Sequence, residues 1–163
     1  MDDVTLSYYI KPVLVLGCGN LLFGDDGFGP KVVEYLKENC PVPDHVAIVD
    51  AGTGVRDILF DIAISERKPR KIIIIDAMDA GKEPGEIFEL DVSQIPQKKI
   101  DDFSMHQLPT SNLLRELKEL CSIDVKIISV QVEHIPDVVS PGISASLVGS
   151  VRDVCEKVLK ECV

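Results

Sequence analysis

The chain has no long hydrophobic run. Its longest unbroken apolar stretch is no longer than the four residues Ile72–Ile75, whereas a membrane-spanning helix needs about 20. No membrane partner is therefore expected. The opening Met1-Asp2-Asp3 is acidic, where a secretory signal begins basic and then turns apolar. Export is not expected, and the chain reads as cytoplasmic. Its five cysteines are an odd number and contain no C-x-x-C pair. That argues against a disulfide framework or a cysteine zinc site and for reduced thiols. Positive charge is scarce: 17 Lys and Arg face 27 Asp and Glu, for a net charge of −10. Such a surface repels phosphate backbones, so nucleic acid is a poor partner. The densest basic cluster, Arg67-Lys68-Pro69-Arg70-Lys71, reads as a solvated turn before a buried strand. No G-K-[ST] phosphate loop and no H-E-x-x-H are present.

What is present is a core. The chain is 163 residues long and 45% hydrophobic, enough for one folded domain spanning 1–163. No repeat, linker or low-complexity tract divides it. Strand and helix patterns alternate along the sequence. Val13–Leu16, Val46–Val49 and Lys71–Asp76 read as buried strands, and the last is apolar on both faces and so central. Gly85–Val92 alternates less cleanly and reads as an edge strand, and Val125–Val132 is the last strand. Helices are expected over Asp26–Asn39 with Asp25 as cap, Gly54–Ile64 with Thr53 as cap, Ser111–Leu120 and Ser144–Cys162. The third should bury Leu113, Leu114, Leu117 and Leu120; the fourth should bury Leu147, Val148, Val151, Val154, Val158 and Leu159. Residues 93–108 read as an irregular loop. The pattern implies an α/β fold with a mostly parallel sheet covered on both faces.

In such sheets ligands bind outside the carboxyl ends of the strands. The loops that matter are then 17–26, 50–54, 76–85 and 131–142. The first, Gly17-Cys18-Gly19-Asn20-Leu21-Leu22-Phe23-Gly24-Asp25-Asp26-Gly27, misses the dinucleotide fingerprint because Leu22 stands where a glycine is needed. Asp25 and Asp26 could both be helix-terminal residues, but one aspartate suffices for a cap, which leaves the other for another task. Asp76 closes the central strand, where it either caps a turn or takes part in chemistry. His106 lies in a polar loop, where a lone histidine is more often a surface residue than a functional one. His45 precedes a strand at the far end and is discounted. His134 follows the last strand on the correct side and stays an alternative. Cys18 is in the right loop but reads as a small packed residue. Two carboxylates and one imidazole would form an oxygen–oxygen–nitrogen set with open positions, suited to a borderline ion such as zinc or nickel.

The segments Gly19–Gly29, Asp50-Ala51-Gly52-Thr53, Ile75-Asp76-Ala77 and His106-Gln107-Leu108, in this order, resemble the signatures of hydrogenase maturation endopeptidases. These proteins remove the C-terminal tail of the large subunit of [NiFe] hydrogenases. The branch serving deazaflavin-reducing hydrogenases looks most similar. The resemblance implies a three-layer α/β/α sandwich with a five-stranded mixed sheet and one antiparallel strand, for which the fourth strand is the natural candidate. It also implies that the family's metal-contacting residues fall on Asp26, Asp76 and His106. The first of these is often a glutamate in the family, so Asp26 keeps the charge with a shorter reach. Gly52 and Thr53 match a loop used near the cleavage site.

The expectation is an aspartic-type endopeptidase, with Asp26 and Asp76 catalytic. It would act on a nickel-loaded large-subunit precursor that supplies the metal, without an organic cofactor. A metal-bound water or a carboxylate base would each serve the hydrolysis. Two other classes stay open: a non-cleaving metal-binding assembly checkpoint, and a small-molecule hydrolase or phosphorylase. A monomer is expected, because no helix shows an apolar face beyond that needed for the core.

Overall fold

The computed structural model describes residues 11–92 and 110–163. Strands β1 (Val13–Cys18), β2 (Val46–Gly52), β3 (Lys71–Met78), β4 (Ile87–Leu90) and β5 (Asp124–Gln131) form one sheet in the order β2-β1-β3-β5-β4. All neighbouring pairs are parallel except β4 with β5. The weakly alternating fourth segment is therefore the antiparallel edge strand, as expected, and β3 is central. Helices α1 (Phe28–Asn39), α2 (Val55–Ile64), α3 (Thr110–Glu119) and α4 (Ala145–Glu161), with a 3-10 turn over Gly24–Gly27, complete the described elements. None of these is long and apolar enough to cross a membrane.

The strands are apolar on both faces because both faces are covered. The even-numbered side of β1 and β3 (Leu14, Leu16, Ile72, Ile74) packs with Val55, Leu59 and Ile62 of α2 and with Leu114 and Leu117 of α3. The odd-numbered side (Val13, Val15, Ile73, Ile75) packs with Phe28, Val32 and Leu36 of α1 and with Leu147, Val154 and Val158 of α4. The result is the three-layer α/β/α sandwich. Each fully buried isoleucine of β3 contributes about 2–3 kcal/mol of burial. At the amino ends of the strands, Glu161 accepts hydrogen bonds from Lys71 and Lys126, both at 2.8 Å. The two ammonium groups hold the Glu161 carboxyl down to about 2.

Several boundaries and faces differ from the sequence expectation. β3 runs two residues past Asp76 because β5 continues beside it, pairing Ala77 with Val130 and Met78 with Gln131. Asp25 does not cap α1: it lies in a 3-10 turn, Gly24–Gly27, and Gly27 occupies the cap position without a side-chain bond. Thr53 does not cap α2 either, since Gly54 holds that position. Leu120 is exposed because α3 ends at Glu119. Val148 is also exposed: the inward stripe of α4 runs through Leu147, Val151, Val154 and Val158, and Val148 lies about 100° round the helix from Leu147. The segment 93–108 lies outside the described residues.

Topology fixes where a ligand can enter. From β1 the chain moves to β2 on one side. It then crosses back to β3 on the other side. The carboxyl ends of β1 and β3 thus flank the switch point, where a crevice opens in sheets of this kind. Gly29, in the first turn of α1, sits on this junction. A Cβ there would stand 2.3 Å from the Cys18 carbonyl oxygen and 2.7 Å from that of Ile75. Only glycine lets the helix start this close to both strands.

Candidate functional site

The loop after β1 doubles back at Gly19, whose φ of +133° belongs to glycine and whose Cβ would lie 1.9 Å from the Asp26 carbonyl oxygen. The Asn20 N–H donates to that carbonyl at 3.1 Å and to Asp26 Oδ2 at 3.0 Å. The Asp26 carboxylate is thereby turned back over the end of β1, and it is only 2% exposed. Asp76 is 7% exposed, and its Oδ1 accepts the Ala77 N–H at 2.8 Å. On the same face, paired with Asp76 across β3 and β5, is Ser129. Its hydroxyl is the one buried side-chain polar atom among the described residues without a hydrogen-bond partner.

Cys18 lies between these groups. Burial pushes its thiol well up, and the carboxylates of Asp76, Asp50 and Asp26 add to the shift in that order. The thiol therefore stays protonated and packed, not poised for attack. These three aspartates come from three different segments at the carboxyl ends of the strands. Asp50 was given no role from the sequence. Its signal was available, since it sits at the carboxyl end of β2 as Asp76 does near that of β3.

Asp25 takes the opposite direction from Asp26. Fully buried, it accepts the N–H groups of Glu133 (2.8 Å), His134 (2.9 Å) and Ser144 (2.6 Å), and the Ser144 hydroxyl (2.9 Å). It is a latch between the loops after β1 and β5, and its place at the start of α4 satisfies a helix-terminal N–H. Of the two adjacent aspartates, Asp25 joins the loops after β1 and β5, and Asp26 is held by the Asn20 N–H over the end of β1.

The β2 loop forms the other wall. Gly52, with φ of +53°, accepts the Gly19 N–H at 2.9 Å, and its own N–H donates to Asp50 Oδ1 at 2.9 Å. Asn20, Leu21, Pro30, Asp50, Gly52 and Thr53 line an open cleft of about 250 Å³. Gly52 and Thr53 thus line this cleft.

Of the histidines, His106 lies outside the described residues. His134 is exposed, and its backbone is what engages Asp25. His45 is at the far end, its Nε2 2.6 Å from the Cys162 carbonyl oxygen. Among the described residues no three His, Cys, Asp or Glu side chains are arranged to hold a metal ion. The described part therefore shows no complete ligand set, and Asp26 and Asp76 stand in it as two buried carboxylates.

Comparison with known proteins places this geometry in context. The family profile described as hydrogenase maturation protease matches residues 30–161. A Methanocaldococcus jannaschii protein provisionally named as a hydrogenase maturation protease is 39% identical over 153 residues, covering 93% of this chain and 96% of its own. The coenzyme F420 hydrogenase subunit delta of Methanothermobacter thermautotrophicus is 36% identical over 155 residues, covering 93% and 92%. The structure of the hydrogenase maturating endopeptidase HybD from Escherichia coli superposes with a TM-score of 0.71 at 28% identity, covering 93% of this chain and 91% of that one.

Proposed function

The chain belongs to the hydrogenase maturation protease family, and from that premise we propose that it removes the C-terminal tail of a nickel-loaded [NiFe] hydrogenase large-subunit precursor. The observation that supports this best is the delivery of two buried carboxylates, Asp26 and Asp76, to the switch point beside an open cleft. Each is oriented by a backbone N–H, so little reorganisation is needed when charge arrives.

In this reading the metal is part of the substrate. Asp26 and Asp76 offer oxygen donors and His106 a nitrogen donor to nickel carried by the precursor, a set that suits nickel. Cleavage is then licensed by metal loading. The tail lies in the cleft along Gly52 and Thr53. A carboxylate of the pair takes a proton from the attacking water, a C–O bond forms at the scissile carbonyl, and the C–N bond breaks. The same carboxyl returns the proton to the leaving amine.

The test is to mix the protein with large-subunit precursor, with and without nickel, and to follow the precursor by intact mass. Loss of a discrete C-terminal peptide from the nickel-loaded form alone is the expected result. Asp26→Asn, Asp76→Asn and His106→Ala should each slow it by at least about 100-fold, whereas His134→Ala should not. Tight complex formation without peptide loss would replace the protease reading with that of an assembly checkpoint.

A further inference from the structure

Next to the cleft the protein exposes apolar side chains that its core does not use. Leu21 (43% exposed) and Leu22 (49%) come from the loop after β1; Ile135 (38%), Val138 (70%) and Val139 (62%) come from the loop after β5. The two loops are joined. Ser140 donates its N–H to the Leu22 carbonyl at 2.8 Å, and the Gly24 N–H donates to the Ser140 carbonyl at 2.9 Å. Phe23 and Ser140 form a parallel bridge, which makes Leu22 and Val139 neighbours across it. Pro136 lies against Gly24, which draws Ile135 to the same rim.

Three features give this rim a purpose. It is continuous with the site, because Leu21 also lines the cleft. It is poor in charge on a chain of net charge −10: residues 20–23 contain no Asp, Glu, Lys or Arg, and residues 134–143 contain only Asp137. It is also held in place, since Asp25 pins the loop after β5 at Glu133, His134 and Ser144. A preorganised apolar surface loses little conformational entropy on binding, and exposed apolar patches of this kind mark interaction sites.

We infer that Leu21, Leu22, Ile135, Val138 and Val139 form the surface on which an uncharged, apolar face of the folded large-subunit precursor docks while its tail enters the cleft. The inference rests on the precursor-processing reading above. It assigns partner recognition to a rim separate from the carboxylates. The Asp25 latch keeps that rim in fixed register with Asp26.

The experiment measures the dissociation constant for nickel-loaded precursor by titration, and tail release by intact mass, for the intact chain and its variants. Leu22→Glu and Val139→Glu should each weaken the complex at least about tenfold. Ile64→Glu, at a still more exposed apolar residue at the end of α2, should leave it unchanged. The milder pair Leu22→Ser with Val139→Ser guards against misfolding and should weaken binding in the same direction. Unchanged affinity in folded rim variants would overturn the inference. If the wild type binds precursor without releasing a tail, the protease reading fails, and the affinity comparison still decides the rim. If it binds no precursor, both readings fail. A wild-type dimer that the rim variants dissolve would assign the surface to a second copy of this chain and overturn the precursor as its occupant.

Discussion

Asp25 reaches across 119 residues of sequence to Ser144, whose N–H and hydroxyl both donate to its carboxylate, at 2.6 and 2.9 Å. Its neighbour Asp26 turns the other way, to the Asn20 N–H at 3.0 Å. The two should separate cleanly in mutation. Asp25→Ala leaves three backbone N–H groups without their acceptor and should cost about 3 kcal/mol or more. Asp26→Asn keeps the shape and one acceptor oxygen and should cost about 1 kcal/mol or less, while abolishing tail release. Urea midpoints beside intact-mass assays would check this. A destabilised Asp26→Asn with full activity would reverse the two roles.

Burial raises the Cys18 thiol, and the carboxylates of Asp76, Asp50 and Asp26 raise it further. Cys18→Ala should therefore retain processing within about threefold, with about 1 kcal/mol of stability lost to the small cavity. Iodoacetamide at neutral pH should leave the residue unmodified in the folded protein, as peptide mass mapping would show. Loss of activity in Cys18→Ala without loss of fold would put the thiol into the chemistry.

The fold was legible wherever periodicity carried the signal. The run Ile72–Ile75 marked the central strand, and the weak alternation of Gly85–Val92 marked the edge strand, whose antiparallel direction came only with the resemblance. Legibility failed where long-range contacts override local rules. A sequence window cannot show that Asp25 bonds to Ser144 and not to α1, because the partner lies 119 residues away, beyond β5. Nor does local spacing separate Val148 from Leu147 until the phase of α4 against α1 is known. For the candidate site, the strand-end rule pointed to the loops that hold Asp25, Asp26 and Asp76, but position alone did not choose between the first two; the resemblance put the role on Asp26. Applied evenly, the rule would also have singled out Asp50, at the end of β2.

Glu161 ties the amino end of β3 to that of β5 through Lys71 and Lys126. Its carboxyl is held at about 2, against an ordinary value of 4.5. A depressed folded value means stability that is present above the unfolded value and is lost as pH falls toward the folded one. Glu161→Gln should thus lower the thermal midpoint near pH 7, and the gap to wild type should close as pH falls from about 4.5 toward about 2. A gap that stays constant through this range would show that the carboxylate charge is not what stabilises the junction.

Gly29 sets the distance between the two halves of the site. The atoms a Cβ would meet are the Cys18 carbonyl oxygen at 2.3 Å, the Cys18 nitrogen at 2.6 Å and the Ile75 carbonyl oxygen at 2.7 Å. All three are backbone, so no side-chain rotation relieves the clash. Gly29→Ala must therefore lift α1 from the sheet or spread β1 from β3. The helix propensity of alanine would favour the change by about 1 kcal/mol in an open helix. Here the overpacking, about 1–3 kcal/mol or more, should win. Because Asp26 precedes α1 and Asp76 follows Ile75, the same movement shifts one carboxylate relative to the other. The expected result is a lower midpoint together with a loss of tail release greater than the fraction unfolded explains. Circular dichroism and intact-mass assays at one temperature would measure both. A variant as stable and as active as wild type would mean that the junction yields without moving the carboxylates, and that their spacing is set elsewhere.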